Sequence, residues 1–159
     1  MEPKLYLLGC TLDICSGHEA GRGMLAELYQ RHVGGNMPDI HIAQGGKPYF
    51  AESNWHFSIS HTKRHAFCVL SDRPVGLDAE EMDRQIDLRL ANRILSPGEM
   101  LQFDGAEDKR KTLLTFWVLK EAAGKLTGKG VGFHPRHTNF VLPDARVQEI
   151  DGCIVAVVY

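Results

Sequence analysis

No apolar run in this 159-residue chain approaches the ~20 residues needed to cross a bilayer, so nothing reads as a transmembrane segment. The opening Met1-Glu2-Pro3-Lys4 lacks the basic region, apolar stretch and small-residue cleavage site of a signal peptide. Charge of neither sign is in excess. Eighteen Lys and Arg against twenty Asp and Glu leave a net charge of −2, which removes any global electrostatic case for nucleic-acid binding. A basic docking surface would have to be local. Cysteine is sparse: Cys10, Cys15, Cys68 and Cys153 form no CxxC pair and sit mostly in apolar runs. Reduced core thiols are therefore expected, rather than disulfides or a zinc site. Internal repeats, low-complexity stretches and linkers are also missing. These absences leave one cytoplasmic domain with no membrane or nucleic-acid partner.

What is present is ordinary in bulk, with 43 % hydrophobic and 24 % charged residues, and specific in pattern. Residues 4–10 read as a first strand. Over 17–33 the apolar Met24, Leu25, Leu28 and Val33 recur at helical spacing, and Gly34-Gly35 ends the helix. A short strand is expected at 40–43, a loop at Gly45-Gly46-Lys47-Pro48, and a strand at 55–60. Residues 66–71 and 75–80 read as a hairpin about Asp72-Arg73-Pro74. Ser96-Pro97-Gly98-Glu99 is a capping box that opens a helix, which Asp104-Gly105 breaks. A longer helix runs over about 108–127 to Gly128, and two strands joined by Asp151-Gly152 close the chain. Long helices separated by hairpins imply an α+β fold with mainly antiparallel pairing.

Two stretches carry chemistry. Val75-Gly76-Leu77-Asp78-Ala79-Glu80 reads as a strand, where residues two apart face the same way, so Asp78 and Glu80 project together. Gly76 beside them leaves space for a ligand. In the helix from Trp117 to Lys125, Glu121 and Lys125 are four apart and share a face. Alone, the strand pair also reads as a solvated face, and the helix pair as a surface contact worth ~0.3–0.5 kcal/mol. Trp117, one turn earlier on the same face, points to burial instead. Gly124 in the helix interior costs ~1 kcal/mol relative to alanine, which implies close packing or binding there. Three carboxylates on two rigid elements suit a hard divalent cation, most simply Mg²⁺ with a phosphate-bearing partner. A lysine beside them suits the charge of a transferring phosphate.

Four motifs stand in order: Gly46-Lys47-Pro48, Phe57-Ser58-Ile59-Ser60-His61, Gly76 to Glu80, and Trp117 to Lys125. Together they resemble the 4′-phosphopantetheinyl transferases of the surfactin type, which share a superfamily with the holo-acyl-carrier-protein synthases. The resemblance covers about residues 45–132. It implies two pseudo-repeated lobes, about 1–72 and 73–159, each of antiparallel strands packed with a long helix, the N-terminal lobe shortened. It also implies a reaction, in which the phosphopantetheine arm of coenzyme A moves to a serine of an apo acyl or peptidyl carrier protein and 3′,5′-ADP is released.

Residue by residue, Asp78, Glu80 and Glu121 match the positions that hold Mg²⁺ against the coenzyme A pyrophosphate. Glu121 also matches the residue that draws the proton from the attacking serine, directly or through water. Lys125 would steady charge on the phosphate, whereas Lys120 points about 100° away from Glu121 and ranks lower. Lys47, Ser60 and His61 match positions that bind phosphate groups of coenzyme A. The run Gly128-Lys129-Gly130-Val131-Gly132 reads as a helix cap and turn, with a substrate-side role open. Arg84, Arg89, Arg93 and Lys109 to Lys111 read either as a solvated face or as a docking surface for an acidic carrier. Because Ser60, His61 and Glu121 lie in one chain, a monomer is expected to complete the site. Two other readings compete: a member that binds coenzyme A or a carrier domain without turnover, and an Mg²⁺-dependent phosphohydrolase.

Overall fold

The structure, a computed structural model, describes residues 1–128 and 134–159. In chain order its elements are β1 (Leu5–Thr11), α1 (Gly17–His32), β2 (Ile40–Ile42), β3 (Pro48–Phe50), β4 (His56–His61) and β5 (His65–Ser71). Then follow β6 (Gly76–Glu81), α2 (Ala91–Ile94), α3 (Pro97–Asp104), α4 (Lys109–Thr127), β7 (Val147–Ile150) and β8 (Cys153–Val158). Every strand pair is antiparallel, as the α+β reading requires.

Two three-stranded sheets, β1-β5-β4 and β6-β8-β7, stack face to face. The alternation of β5 explains the stacking. Ala66, Cys68 and Leu70 face α1 and meet Met24, Leu25, Leu28 and Tyr29. Phe67 and Val69 point the other way, onto Val75, Leu77 and Ala79 of the second sheet. A strand covered on both sides must be apolar throughout, and His65–Ser71 nearly is. On the far face of the second sheet, Ile154, Ala156 and Val158 pack against Leu114, Val118, Leu119 and Ala122 of α4. A last layer of α2 and α3 covers the outer side of α4 through Ile94, Leu95, Phe103 and Phe116.

The caps act as their residues dictate. Ser16 accepts from the Glu19 amide at the start of α1, Ser96 and Glu99 form the reciprocal box at α3, and Asp108 caps α4. Gly128 ends α4 in the left-handed conformation at φ 74°, and Asp151 and Gly152 turn β7 into β8 at φ 49° and 79°. The remainder of the glycine run, residues 129–133, lies outside the described residues.

The expected hairpin of residues 66–71 and 75–80 does not form. β5 lies between β1 and β4, whereas β6 belongs to the other sheet and pairs only with β8. Asp72-Arg73-Pro74 has none of the positive φ values that a tight hairpin needs. Instead Asp72 binds back to β1: its amide donates to the Lys4 carbonyl, and its carboxylate accepts from the Lys4 amide at 2.9 Å. The turn thus carries the chain from one sheet to the next. Of the expected loop at residues 45–48, Pro48 instead opens a strand, Pro48–Phe50, that pairs with β2 and buries Phe50 against Tyr29 and Phe57 at ring distances of 5.6 and 4.7 Å.

Lys120, the lower-ranked cation of the long helix, is 1 % exposed and pairs at 2.7 Å with Glu99, which is fully buried. Its ammonium also donates to the carbonyls of Pro135 and Thr138. Glu99 meanwhile accepts from the amides of Ser96 and Phe140, each at 2.8 Å. Removing one partner strands a buried charge, so Lys120→Met is expected to lose about 3–5 kcal/mol in urea unfolding. A loss below ~1 kcal/mol would show that this network carries no stability. All four cysteines are free. Burial pushes the Cys68 and Cys153 thiols up to about 12, and the Glu81 charge adds to the rise at Cys153. Among the described residues no helix is long and apolar enough to cross a membrane.

Candidate active site

The site forms where the two sheets meet. β4 and β6 run side by side there in the same direction without pairing as strands, and α4 lies across them. Asp78, in the middle of β6, is 8 % exposed. Its Oδ1 accepts from the Ser60 hydroxyl at 3.3 Å and from Lys125 Nζ at 3.2 Å. Its Oδ2 is buried and has no hydrogen-bond partner among the described residues. Burial pushes the Asp78 carboxyl up, the Lys125 charge and hydrogen bond draw it back, and the charges of Glu121 and Glu80 raise it again, to about 6.

Glu80 lies two residues along β6 and is engaged by the Arg84 guanidinium. Glu121 on α4 is half-buried. Burial raises its carboxyl above the usual range, Lys125 lowers it, Glu80 raises it, and Arg84 lowers it. The three acidic residues therefore feel one another's charge across the strand–helix seam. Their oxygens do not all come within 4.8 Å of one another; Arg84 engages Glu80 and Lys125 engages Asp78.

Beside the acidic group lies a cleft of about 190 Å³ lined by residues 45–48, Ser58, Ile59, Lys125 and Gly128. Lys47 Nζ donates to the Val75 carbonyl at 3.1 Å, and Lys125 Nζ reaches the Ile59 carbonyl at 3.4 Å. Burial, then the Lys125 charge, lowers the Lys47 pKa. Two repelling ammonium groups in one cleft favour an anion between them. His61 ends β4 exposed, with its ring against the first turn of α1; a Cβ on Gly17 would lie 2.3 Å from its Cγ. Ser60 is 5 % exposed, with its hydroxyl engaged inside the protein.

Gly76 leaves no space for a ligand. A Cβ there would meet the Ala122 carbonyl oxygen at 1.9 Å, so the missing side chain is filled by the α4 backbone. Gly124 is likewise buried in α4. A second cluster escaped the sequence reading. His65 Nδ1 lies 2.8 Å from Glu81, Cys153 Sγ lies 3.6 Å from the same carboxylate, and the three ligand-type atoms fall within 4.8 Å. Burial pushes the Glu81 carboxyl up, but hydrogen bonds from Thr62, His65 and Arg64 hold it at about 2. With Thr62 and Arg64 already on the carboxylate and the thiol protonated, this cluster closes on itself as a strand-to-strand clasp. It joins β5, β6 and β8, which are far apart in sequence, so no local motif announces it.

Residues 74–154 match the model of the 4′-phosphopantetheinyl transferase superfamily. The chain belongs to that superfamily. It is 34 % identical over 125 residues to the 4′-phosphopantetheinyl transferase psf-1 of Bacillus pumilus, covering 72 % of this chain and 53 % of that protein. The 4′-phosphopantetheinyl transferase HetI of Nostoc sp. is 34 % identical over 122 residues, covering 70 % of this chain and 52 % of that protein. The corresponding figures for the 4′-phosphopantetheinyl transferase gsp of Aneurinibacillus migulanus are 31 % over 122 residues, 71 % and 51 %. The chain spans about half the length of these curated relatives.

Proposed function

We propose that this chain transfers the 4′-phosphopantetheine group of coenzyme A to a serine of an apo acyl or peptidyl carrier protein. The observation that carries this reading is the meeting of Asp78, Glu80 and Glu121 beside a cleft lined by Lys47 and Lys125. Family membership supports it, since psf-1, HetI and gsp are all named as such transferases.

The residues fit Mg²⁺. A buried Asp78 Oδ2 without a partner is a lone pair that a cation would satisfy, and an all-carboxylate donor set suits a hard ion. Asp78, Glu80 and Glu121 would hold it. When bound, the ion would neutralise charge on pyrophosphate oxygens as 3′,5′-ADP departs. Lys47 and Lys125 then hold the phosphates of coenzyme A in the cleft, and His61 at the rim adds a further phosphate contact. Lys125 exchanges the Asp78 oxygen for the phosphate under attack. Glu121, with its carboxyl raised by burial, takes the proton from the carrier serine, directly or through one water.

In this reading the chain is two pseudo-repeated lobes, 1–72 and 73–159, each a three-stranded sheet with one long helix, the first shortened. One monomer supplies the whole site and works in the cytoplasm, with neither nucleic acid nor membrane as partner. Arg84, Arg89 and Lys111 are committed to Glu80, Asp87 and Glu149, which leaves the exposed Arg93 to steer an acidic carrier.

The test is to incubate the chain with coenzyme A, Mg²⁺ and apo carrier proteins and to weigh the carriers by mass spectrometry. Gain of one phosphopantetheine is the expected result. Coenzyme A breakdown without carrier gain would replace the proposal with hydrolysis, and coenzyme A binding with neither would reduce the chain to a silent binder.

A further inference from the structure

β6 pairs on one edge only, with β8, so the amides of Leu77 and Ala79 face away from their own sheet. Both residues are buried, at 0 % and 3 % exposed, and an unsatisfied buried amide costs about 1–3 kcal/mol. Two serine hydroxyls on β4 fill the gap. Ser58 Oγ accepts from the Leu77 amide at 3.0 Å, and Ser60 Oγ accepts from the Ala79 amide at 3.2 Å. The serines are two apart, as are the amides, so the hydroxyls act as two rungs that replace a strand ladder. Each hydroxyl still has one proton to give. That of Ser60 goes to Asp78 Oδ1 at 3.3 Å, while Ser58 makes no contact with a site carboxylate among the described residues.

We propose that Ser60 is a positioning residue for the cation site, and that Ser58 is its purely structural twin. This rests on the reading of Asp78 as a metal ligand. Ser60 fixes Oδ1, with its own oxygen pinned by the Ala79 amide, and so sets the orientation of the whole carboxylate and of the unpartnered Oδ2. The carboxylate orientation is thereby tied to the spacing of the two sheets. Partners of this kind, one bond removed from the ion, typically change metal affinity by about 10–100-fold.

The test compares Ser58→Ala, Ser60→Ala and Asp78→Ala in the full chain. The readouts are urea unfolding, amide exchange at Leu77 and Ala79, and Mn²⁺ binding by electron paramagnetic resonance without coenzyme A, so that the cleft lined by Ser58 plays no part. Mn²⁺ serves as probe because it shares the oxygen preference of Mg²⁺. Both serine variants are expected to lose similar stability, with faster exchange at Leu77 in Ser58→Ala and at Ala79 in Ser60→Ala. Only Ser60→Ala should weaken Mn²⁺ binding, by about tenfold or more. Should Ser60→Ala not fold, Ser60→Cys carries the same comparison, since a thiol keeps the shape and weakens both bonds. Equal Mn²⁺ affinity in the two serine variants, with binding lost in Asp78→Ala, overturns the proposal and leaves the Asp78 reading intact. Undiminished Mn²⁺ binding in Asp78→Ala overturns both.

Discussion

Asp78→Ala is expected to lower phosphopantetheine transfer about a thousandfold or more, while the chain unfolds at no lower urea concentration than the unaltered protein. A cation held by this carboxylate would contribute several kcal/mol of charge stabilisation, and ~4 kcal/mol is about a thousandfold in rate. Stability should move little or upward for a physical reason. The carboxylate is 8 % exposed, one of its oxygens has no partner, and two neighbouring acidic groups oppose its charge. Its removal leaves no charge stranded, because Lys125 is 32 % exposed and can turn to water, and Ser60 keeps the Ala79 amide. A residue that folding would tolerate as alanine but catalysis would not is a mark of function. Glu121→Ala should behave alike. Near-normal transfer in both variants, measured by carrier mass against time, would remove the acidic group from the reaction.

Gly76→Ala is expected to cost more stability than a single added methyl usually does. The added carbon would lie 1.9 Å from the Ala122 carbonyl oxygen, 2.7 Å from the Leu126 amide nitrogen and 3.0 Å from the Ala122 carbonyl carbon. All three are backbone atoms of α4, so no rotamer change relieves the clash. Strand and helix must separate, and they are the two elements that carry Asp78, Glu80 and Glu121. Overpacking usually costs about 1–3 kcal/mol where side chains can yield, and against rigid backbone the loss should reach ~3 kcal/mol or more. Gly23→Ala is the control. It lies within α1 with nothing inside 4 Å of the added carbon, so helix propensity should raise stability by about 0.5–1 kcal/mol. Matching urea midpoints for the two variants would refute the close strand–helix contact.

Features written in consecutive residues were legible before any coordinates. The Ser96–Glu99 box, the Asp108 and Gly128 ends of α4 and the Asp151-Gly152 turn are all local chemistry. The same holds for the acidic group, because a period of two placed Asp78 with Glu80 and a period of 3.6 placed Glu121 with Lys125. Pairing partners were not legible, since β5 meets β1 and β6 meets β8 over long stretches of chain that no local pattern encodes. The supposed β5–β6 hairpin failed on that point. Gly76 shows a second limit: glycine signals close approach, but sequence does not say whether ligand or backbone approaches. Ser58 was within reach, because it shares a strand face with Ser60, yet its worth depends on unpaired amides that only the arrangement of sheets exposes.

β8 is the central strand of its sheet, although it is made long after β6. During synthesis the segment bearing Asp78 and Glu80 therefore waits without its neighbour until Cys153–Val158 has left the ribosome. A nascent strand with open amides is a template for mispairing. In that interval the two β4 hydroxyls and the α1-covered sheet are the native shelter already within reach.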